Sequence, residues 1–160
     1  ETEFASKRLG WERLPQSTRA RLADAFAWHD YAHSRGKISP QMISERERAT
    51  LPPVRWRMRW RNPTNGRDSL YLASHTYAID GMSQDEAEAL LAELVDHTTA
   101  PGHTYLHRWQ PGDVIMWDNR CVLHRGRPWP DGEPRHIVRT TITATDADGL
   151  AEMRPLTRAA

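Results

Sequence analysis

The sequence has few of the features that mark secreted, membrane-spanning or nucleic-acid-binding proteins. Its single cysteine, Cys121, cannot form a disulfide within the chain. No apolar run approaches the roughly 20 residues that a membrane-spanning helix needs, and the first residues lack the charged and then apolar pattern of a signal peptide. The 22 basic and 21 acidic residues nearly cancel, which leaves no global attraction to nucleic acid or to an anionic membrane. We therefore expect a cytoplasmic protein without a nucleic-acid or membrane partner.

The sequence does contain enough apolar residues for one folded domain. A chain of 160 residues with 38% apolar content can bury a core of its own. No repeat or linker divides it, so residues 1–160 are predicted to form a single domain. The sequence opens on Glu1 instead of Met, and its first residues, ETEF, already resemble a strand. We interpret this opening as a sign that an N-terminal portion is missing.

Two helices and a hairpin are predicted for the first half of the chain. Pro15 is typical of the first turn of a helix, and the apolar stripe behind it predicts a helix over about 15–28. Ser39 is expected to cap a short polar helix over about 40–50. The RWRMRWR segment, residues 55–61, alternates strictly, which predicts a strand with one aromatic and one arginine face. The turn formers behind it predict a hairpin with the SLYLAS segment.

The second half of the chain is predicted to be one helix followed by strands. Ser83 and Glu86 form a capping box, and apolar residues at helical spacing continue to about His97. Three strand candidates follow, over residues 103–109, 113–119 and 135–145. Helices early and strands late predict an α+β protein, and closed or double-sheet architectures are compatible with this order.

Several histidines have spacings that occur in metal sites. The pairs are His29 with His33, His103 with His107, and Cys121 with His124. Each histidine pair is more often a set of packing or surface residues than a ligand pair. The Cys121 pair resembles half of a zinc site, but the sequence offers no second pair at suitable spacing, so a zinc finger is not predicted.

A more specific arrangement lies in the segment WQPGDVIMWDNRCVLHRGRPWPDGEPRHIVRTTI. It places His124 behind a WDNR sequence and two arginines, Arg135 and Arg139, on the next expected strand. Residues four apart on a strand share a face, with origins about 13 Å apart, so the two guanidinium groups could converge. A guanidinium presents parallel donors to a carboxylate. An arginine beside a metal-binding histidine is therefore suited to hold a dicarboxylate that also chelates the metal.

The segment from Trp109 to Thr143 resembles the C-terminal signature of the taurine/2,4-D dioxygenase (TauD/TfdA) family. The resemblance implies a double-stranded β-helix, or jelly roll, with helical insertions. It implies that His124 is the distal ligand of a two-histidine, one-carboxylate Fe(II) site. It also implies that Arg135 pairs with the distal carboxylate of 2-oxoglutarate, and that Arg139 lies near both this cosubstrate and an anionic substrate.

The resemblance extends to the rest of the chain. ETEFAS is similar to the family's GG-[DE]-T segment, which implies that Thr2 helps to bind 2-oxoglutarate. HDYAHSRG resembles the family's substrate-side loop, and NPTNGRDSLYLASH resembles its HP..G...SLY..SH hairpin. The SLYLASH sequence is more similar to the aryloxyalkanoate (2,4-D-type) members than to the taurine enzymes. Ser34, His75 and Tyr77 are therefore our candidates for lining the substrate pocket.

The resemblance implies an enzyme that uses Fe(II), 2-oxoglutarate and O2. It would hydroxylate a small anionic substrate, aryloxyalkanoate-like or a sulfonate, while 2-oxoglutarate is decarboxylated to succinate and CO2. The chain departs from the family pattern at Asn62, where a histidine usually precedes Pro63. It also lacks the His-x-Asp/Glu motif that supplies the other two iron ligands upstream of Thr2 in the family. We therefore expect the isolated 160 residues to be inactive.

Two alternatives stay open from the sequence. The absent ligand motif allows a non-catalytic or degenerate relative that kept the fold and lost the metal. The arginines and tryptophans of RWRMRWR also allow a nucleic-acid-binding module, although the near-zero net charge favours a strand with a solvated arginine face. A homo-oligomer is compatible with either interpretation.

Overall fold

A computed structural model describes residues 1–130, 132 and 134–155 of the chain. Its strands are β1 (Thr2–Ser6), β2 (Phe26–His29), β3 (Val54–Arg57), β4 (Arg59–Arg61), β5 (Asp68–Leu70), β6 (Thr76–Ile79), β7 (Thr104–His107) and β8 (Val122–Gly126). Its helices are α1 (Lys7–Arg13), α2 (Gln16–Leu22), α3 (Tyr31–Gly36), α4 (Glu45–Thr50) and α5 (Gln84–Thr98). Short 3₁₀ turns span Pro40–Met42, Asp146–Asp148 and Ala151–Met153.

The strands form three small antiparallel sheets. The first has the order β7-β1-β8, the second β3-β2-β6, and the third is the β4-β5 pair. In the first sheet Phe4 lies opposite both His124 and Tyr105. This mixture of helices and antiparallel sheets confirms the predicted α+β composition.

The main core lies between α1, α5 and the sheets. Helix α5 buries Ala87, Leu91, Leu94 and Thr98 in this core. The predicted capping box at its start is present: the side chains of Ser83 and Glu86 each accept a hydrogen bond from the other's backbone N–H. The buried apolar residues of this core are Trp11, Leu14, Leu22, Ala27, Met58, Leu70, Leu72, Ile79, Ala87, Leu91 and Leu94. Their burial is the main stabilising contribution to the fold.

The helix predicted over 15–28 is wrong in its second half. Helix α2 ends at Leu22, and Phe26–His29 form a strand between β3 and β6. Ala27 and His29 are buried while Phe26 and Trp28 are half-buried, so the side chains alternate with the period of a strand. The helix α1, which directly follows β1, is not among the sequence predictions.

The RWRMRWR strand and its hairpin are largely confirmed. The strand divides at Met58, so that β3 pairs with β2 while β4 pairs with β5, and the β4–β5 hairpin has Arg59 opposite Leu70. Met58 and Trp60 are fully buried as the aromatic face requires. The polar helix is also present as α4, but Ser44 with Glu47 forms its capping box instead of Ser39.

Two predicted strands are not formed within the described part of the chain. Residues 113–118 and 134–145 have no regular secondary structure, and their apolar side chains point outward: Val114, Met116, Val138 and Ile142 are 93%, 89%, 85% and 87% exposed. A strand persists only when a neighbour accepts and donates its backbone hydrogen bonds. These segments have no such neighbour among the described residues.

No helix in the described residues is both long and apolar enough to cross a bilayer.

The contact between α1 and α5 leaves no room for a side chain at Gly10. A Cβ there would lie 2.7 Å from Thr98 Oγ1. We predict that Gly10→Ala lowers the free energy of unfolding by about 1–3 kcal/mol, as overpacked cores do. Urea unfolding measures the change, and the penalty should shrink in a Thr98→Ala background because the clashing atoms are gone. Gly36→Ala is the matched control, since nothing lies within 4 Å of a Cβ at that helical position. An equal loss in both variants would contradict the clash.

Candidate functional site

The WDN sequence forms the turn that starts β8. Asp118 accepts a hydrogen bond from the backbone N–H of Arg120 at 2.9 Å through its carboxylate, and from the N–H of Cys121 at 3.1 Å through its carbonyl. Such side-chain-closed turns fix the direction in which the chain continues. Burial raises the pKa of the Asp118 carboxyl, but hydrogen bonds from Arg120 lower it by more, so the pKa lies below its ordinary value. The turn places the start of β8 beside the edge of β1.

His124 lies in an aromatic cluster on β8. Its ring centroid is 4.9 Å from Trp117 and 6.4 Å from Phe4. Burial lowers the pKa of His124, and the charges of Arg139 and Lys7 lower it further. The imidazole is therefore held neutral, which is the form that binds a metal.

The described residues do not complete a metal site around His124. No group of three or more His, Cys, Asp or Glu side chains in residues 1–130, 132 and 134–155 could hold a metal ion. A facial Fe(II) site needs two histidines and a carboxylate. His124 has the chemistry of one such ligand, and the described residues do not complete the set of three around it.

Thr2 shares a sheet face with His124. Thr2 lies opposite Gly126, and Phe4 lies opposite His124. Because directly opposed residues and alternate residues along a strand point to the same side, the Thr2 hydroxyl and the His124 imidazole lie on one face. The hydroxyl accepts a hydrogen bond from Trp109 Nε1 at 2.9 Å, and Thr2 is buried. The structure thus brings these two predicted site residues together.

The two arginines lie on an exposed segment without regular structure. The guanidinium of Arg135 is 4.8 Å from the centre of the Trp129 ring, a cation–π contact. Arg139 is close enough to His124 for its charge to depress the histidine's pKa. The strand that was expected to place both arginines on one face is not formed, so Arg139 is near His124 while Arg135 is stacked on Trp129.

A cleft of about 570 Å³ lies beside His124. Its walls are Glu3, Phe4, Ala5, Lys7, His29, Tyr71, Leu72, Ala73, Ser74, His75, Val95, Thr99, Thr104, Asn119, Arg120, Val122, Leu123, His124 and Arg125. A volume of this size holds a small organic ligand.

Of the three substrate-side candidates, the structure places His75 in the cleft wall. Burial lowers the pKa of His75, with a further contribution from the charge of Lys7. Ser34 does not line the cleft; its hydroxyl donates to the carbonyl of Tyr31 at 3.0 Å within α3. Tyr77 also lies outside the cleft wall, with its ring 5.1 Å from that of His33.

Asn62 is a turn residue of the β4–β5 hairpin. Its side-chain oxygen accepts from the N–H of Thr64 at 2.8 Å, and its own N–H donates to the Arg67 carbonyl at 2.9 Å. It is not among the residues that line the cleft. The departure from the family pattern at this position therefore changes the hairpin loop and not the cleft wall.

Sequence reasoning missed two buried basic residues of the cleft, Lys7 and His29. Each is 3% exposed. Burial lowers the pKa of Lys7 to about 8 and that of His29 to about 3. A signal for Lys7 existed, because it lies on the inward face of α1 with Gly10 and Trp11, where a lysine is unusual. His29 was considered for its spacing to His33, and it lies at the end of the strand β2.

Comparisons with known proteins identify the family of the chain. The family model described as "Taurine catabolism dioxygenase TauD, TfdA family" matches residues 1–141. The chain is 38% identical over 141 residues to the alpha-ketoglutarate-dependent 2,4-dichlorophenoxyacetate dioxygenase of Burkholderia sp. (strain RASC), covering 88% of this chain and 48% of that protein. It is 32% identical over 157 residues to the (S)-phenoxypropionate/alpha-ketoglutarate-dioxygenase of Sphingobium herbicidovorans, covering 94% and 55%.

A solved structure supports the same relationship. The crystal structure of AAD-2 in complex with Mn(II) and N-oxalylglycine superposes with a TM-score of 0.77 at 36% identity, covering 84% of this chain and 52% of that one. The chain thus spans about half the length of the relatives that it matches.

The buried His29 predicts a pH-dependent stability. Below its ordinary pKa of 6.5 the unfolded chain binds a proton that the folded protein, with a pKa of about 3, does not bind. The free energy of unfolding therefore falls by up to about 1.4 kcal/mol per pH unit as the pH drops from 6.5 towards 3. We expect His29→Leu to flatten this slope in urea titrations between pH 7 and 5. His136→Leu, at an exposed histidine, should keep the wild-type slope. Parallel slopes for wild type and His29→Leu would contradict the assignment.

Proposed function

Because the chain belongs to the taurine catabolism dioxygenase TauD, TfdA family, we propose that it is the C-terminal part of an Fe(II)- and 2-oxoglutarate-dependent dioxygenase. The enzyme would hydroxylate a small anionic organic substrate and convert 2-oxoglutarate to succinate and CO2. The observation that carries the proposal is the neutral His124 in the wall of a ligand-sized cleft, in a chain whose family match covers residues 1–141.

The proposed architecture of the complete domain is a double-stranded β-helix. The β7-β1-β8 sheet would be one part of it, and residues 1–160 would belong to this one domain. The TM-score of 0.77 to a solved relative supports the arrangement. In the complete domain, the exposed apolar residues Val114, Met116, Val138 and Ile142 would be covered by strands that pair with their segments.

His124 is proposed as one iron ligand. The remaining histidine and carboxylate would come from a His-x-Asp/Glu motif outside this sequence, because the described residues supply no second and third ligand. The iron, once bound, would supply the activation of O2 that is coupled to decarboxylation of 2-oxoglutarate. The part of this chain is to hold the imidazole neutral and fixed against Phe4 and Trp117.

The residues proposed to bind 2-oxoglutarate are Thr2, Arg135 and Arg139. The Thr2 hydroxyl lies on the same sheet face as His124 and can donate to a carboxylate while it accepts from Trp109. Arg135 is proposed to pair with the distal carboxylate through both of its terminal donors, which requires it to leave the exposed Trp129 ring. Arg139 is closer to His124 and is proposed to contact both the cosubstrate and the anionic substrate.

The proposed substrates are aryloxyalkanoates. Relatives at 38% and 32% identity are named for 2,4-dichlorophenoxyacetate and (S)-phenoxypropionate, which both join an aromatic ring to a short carboxylate. The cleft suits this shape because apolar side chains such as Phe4, Leu72 and Leu123 line it together with basic ones. His75 is the substrate-side candidate that lies in its wall, whereas Ser34 and Tyr77 lie outside this wall. A sulfonate would meet the same basic groups.

A second candidate function is a non-catalytic relative that kept the fold. The observation in its favour is that the described residues offer a single iron ligand. Fe(II) binding by the full-length protein separates the two functions, because a degenerate relative would bind no iron.

We predict that His124→Ala in the full-length protein lowers Fe(II)-dependent consumption of 2-oxoglutarate by at least about 100-fold, since loss of one of three ligands removes the metal. Succinate release and iron content measure the effect. His136→Ala, at an exposed histidine, is the matched control and should keep both. Wild-type iron content and turnover in His124→Ala would refute the ligand assignment.

A further inference from the structure

We propose that Lys7 is an anion receptor in the cleft, where its ammonium group binds the carboxylate of the organic acid substrate with His29 as a second donor. The proposal rests on the proposed function for the identity of the ligand as a substrate. It adds a recognition site on α1 and β2, separate from the arginines of the 134–145 segment.

Lys7 has a hydrogen-bond donor to spare. Its Nζ donates to the carbonyl of Asn119 at 2.9 Å and to that of Leu72 at 3.3 Å. An ammonium group has three N–H donors, and the acceptors in the described part of the chain leave one of them for a ligand. The side chain is 3% exposed, and a donor this deep is not satisfied by bulk water.

Among the described residues the Lys7 ammonium has no direct ion-pair partner, and the charge of Asp118 acts on it only from beyond ion-pair distance. The other basic side chains of the cleft wall are paired: Arg120 contacts Asp118 at 2.9 Å and Asp148 at 3.2 Å, and Arg125 contacts Glu3 at 2.6 Å. No carboxylate among the described residues lies within ion-pair distance of Lys7. A buried cation without an opposite charge is costly, and a bound carboxylate would offset this cost.

A second, independent observation points to a ligand at the same wall. His29 is 3% exposed, and its Nε2 has no hydrogen-bond partner among the described residues. Its Nδ1 lies 3.2 Å from the Thr76 hydroxyl oxygen, which accepts from the N–H of Ala73. The hydroxyl is then free to donate to Nδ1, which leaves the proton on Nε2. In this tautomer His29 presents a neutral donor for an oxyanion.

The surroundings favour an aromatic acid. The Tyr71 ring lies 5.4 Å from Lys7 Nζ and 5.6 Å from the His29 ring, and His75 is 5.2 Å from His29. These rings can contact the flat face of an aryl group while the ammonium holds its carboxylate. Burial lowers the pKa of Lys7 to about 8, so the amine is mainly protonated at pH 7, and an anion would stabilise that form.

The test measures equilibrium binding of two probes to the full-length protein, phenoxyacetate and its neutral analogue phenoxyacetamide, by calorimetry at pH 7 without O2. In Lys7→Met we expect the Kd for phenoxyacetate to rise by about tenfold to a hundredfold, the effect of removing a charged hydrogen bond. The Kd for phenoxyacetamide should change by less than about threefold, because the lost interaction needs a charge. Lys37→Met removes the same charge from an exposed lysine and should bind both probes like wild type.

His29→Leu is the second variant, and it carries the test should Lys7→Met not fold. It should weaken phenoxyacetate by about threefold to tenfold, as expected for a neutral donor, and weaken phenoxyacetamide less, because an ionised carboxylate accepts a stronger hydrogen bond than an amide oxygen. The proposal is overturned if wild type does not prefer phenoxyacetate to phenoxyacetamide, or if both variants keep the wild-type preference. Turnover separates this proposal from the proposed function. If the wild-type protein consumes 2-oxoglutarate but does not prefer phenoxyacetate to phenoxyacetamide, the anion receptor is refuted and the dioxygenase function is kept. A lost preference in the variants of a protein that does not turn over supports the receptor and refutes the dioxygenase.

Discussion

The pairing of β1 with β8 is the interaction on which the candidate site depends. These strands are far apart in the sequence, and their ladder places Phe4 opposite His124 and Thr2 opposite Gly126. A shift by one residue would turn every side chain of one strand to the other face. His124 would then leave its aromatic neighbours and the face it shares with Thr2. Two contacts hold the register where β1 ends and β8 begins. One is the Asp118–Arg120 turn, and the other is the backbone N–H of Lys7, the first residue of α1, which donates to the Cys121 carbonyl at 2.9 Å.

Lys7 connects this backbone framework to recognition. Its backbone N–H and its Nζ both bond to the segment that contains the turn, at Cys121 and Asn119. The same side chain therefore fixes the start of β8 and places a positive charge in the cleft. Burial is the main cause that lowers the pKa of His29, His75 and His124, and the charge of Lys7 lowers these values further. A neutral His124 can bind a metal, and a neutral His29 can donate one hydrogen bond, so one buried cation favours both roles.

The sequence predicted correctly the elements that depend only on residues close together in the chain. The capping box of α5 and the β4–β5 hairpin need only neighbouring residues, and both are present. The strand β2 was misread because its apolar residues also fit a helical stripe, and only its pairing with β3 and β6 decides between the two periods. Segments 113–119 and 135–145 have the composition of strands but no partner among the described residues. The WDN–His124 motif was recognisable from its spacing, whereas the inward direction of Lys7 and the free Nε2 of His29 depend on tertiary packing that spacing does not encode.

We propose that this chain contributes one ligand and the cosubstrate anchors to an iron site that other residues complete. The most direct test compares succinate formation from 2-oxoglutarate, with Fe(II) and O2, by the full-length protein and by the purified 160-residue chain. We expect Fe(II)-dependent succinate from the full-length protein and none from the 160-residue chain, because one histidine does not hold Fe(II) in a facial site. Succinate from the 160-residue chain alone, or none from an iron-loaded full-length protein, would contradict the proposed division of the iron site.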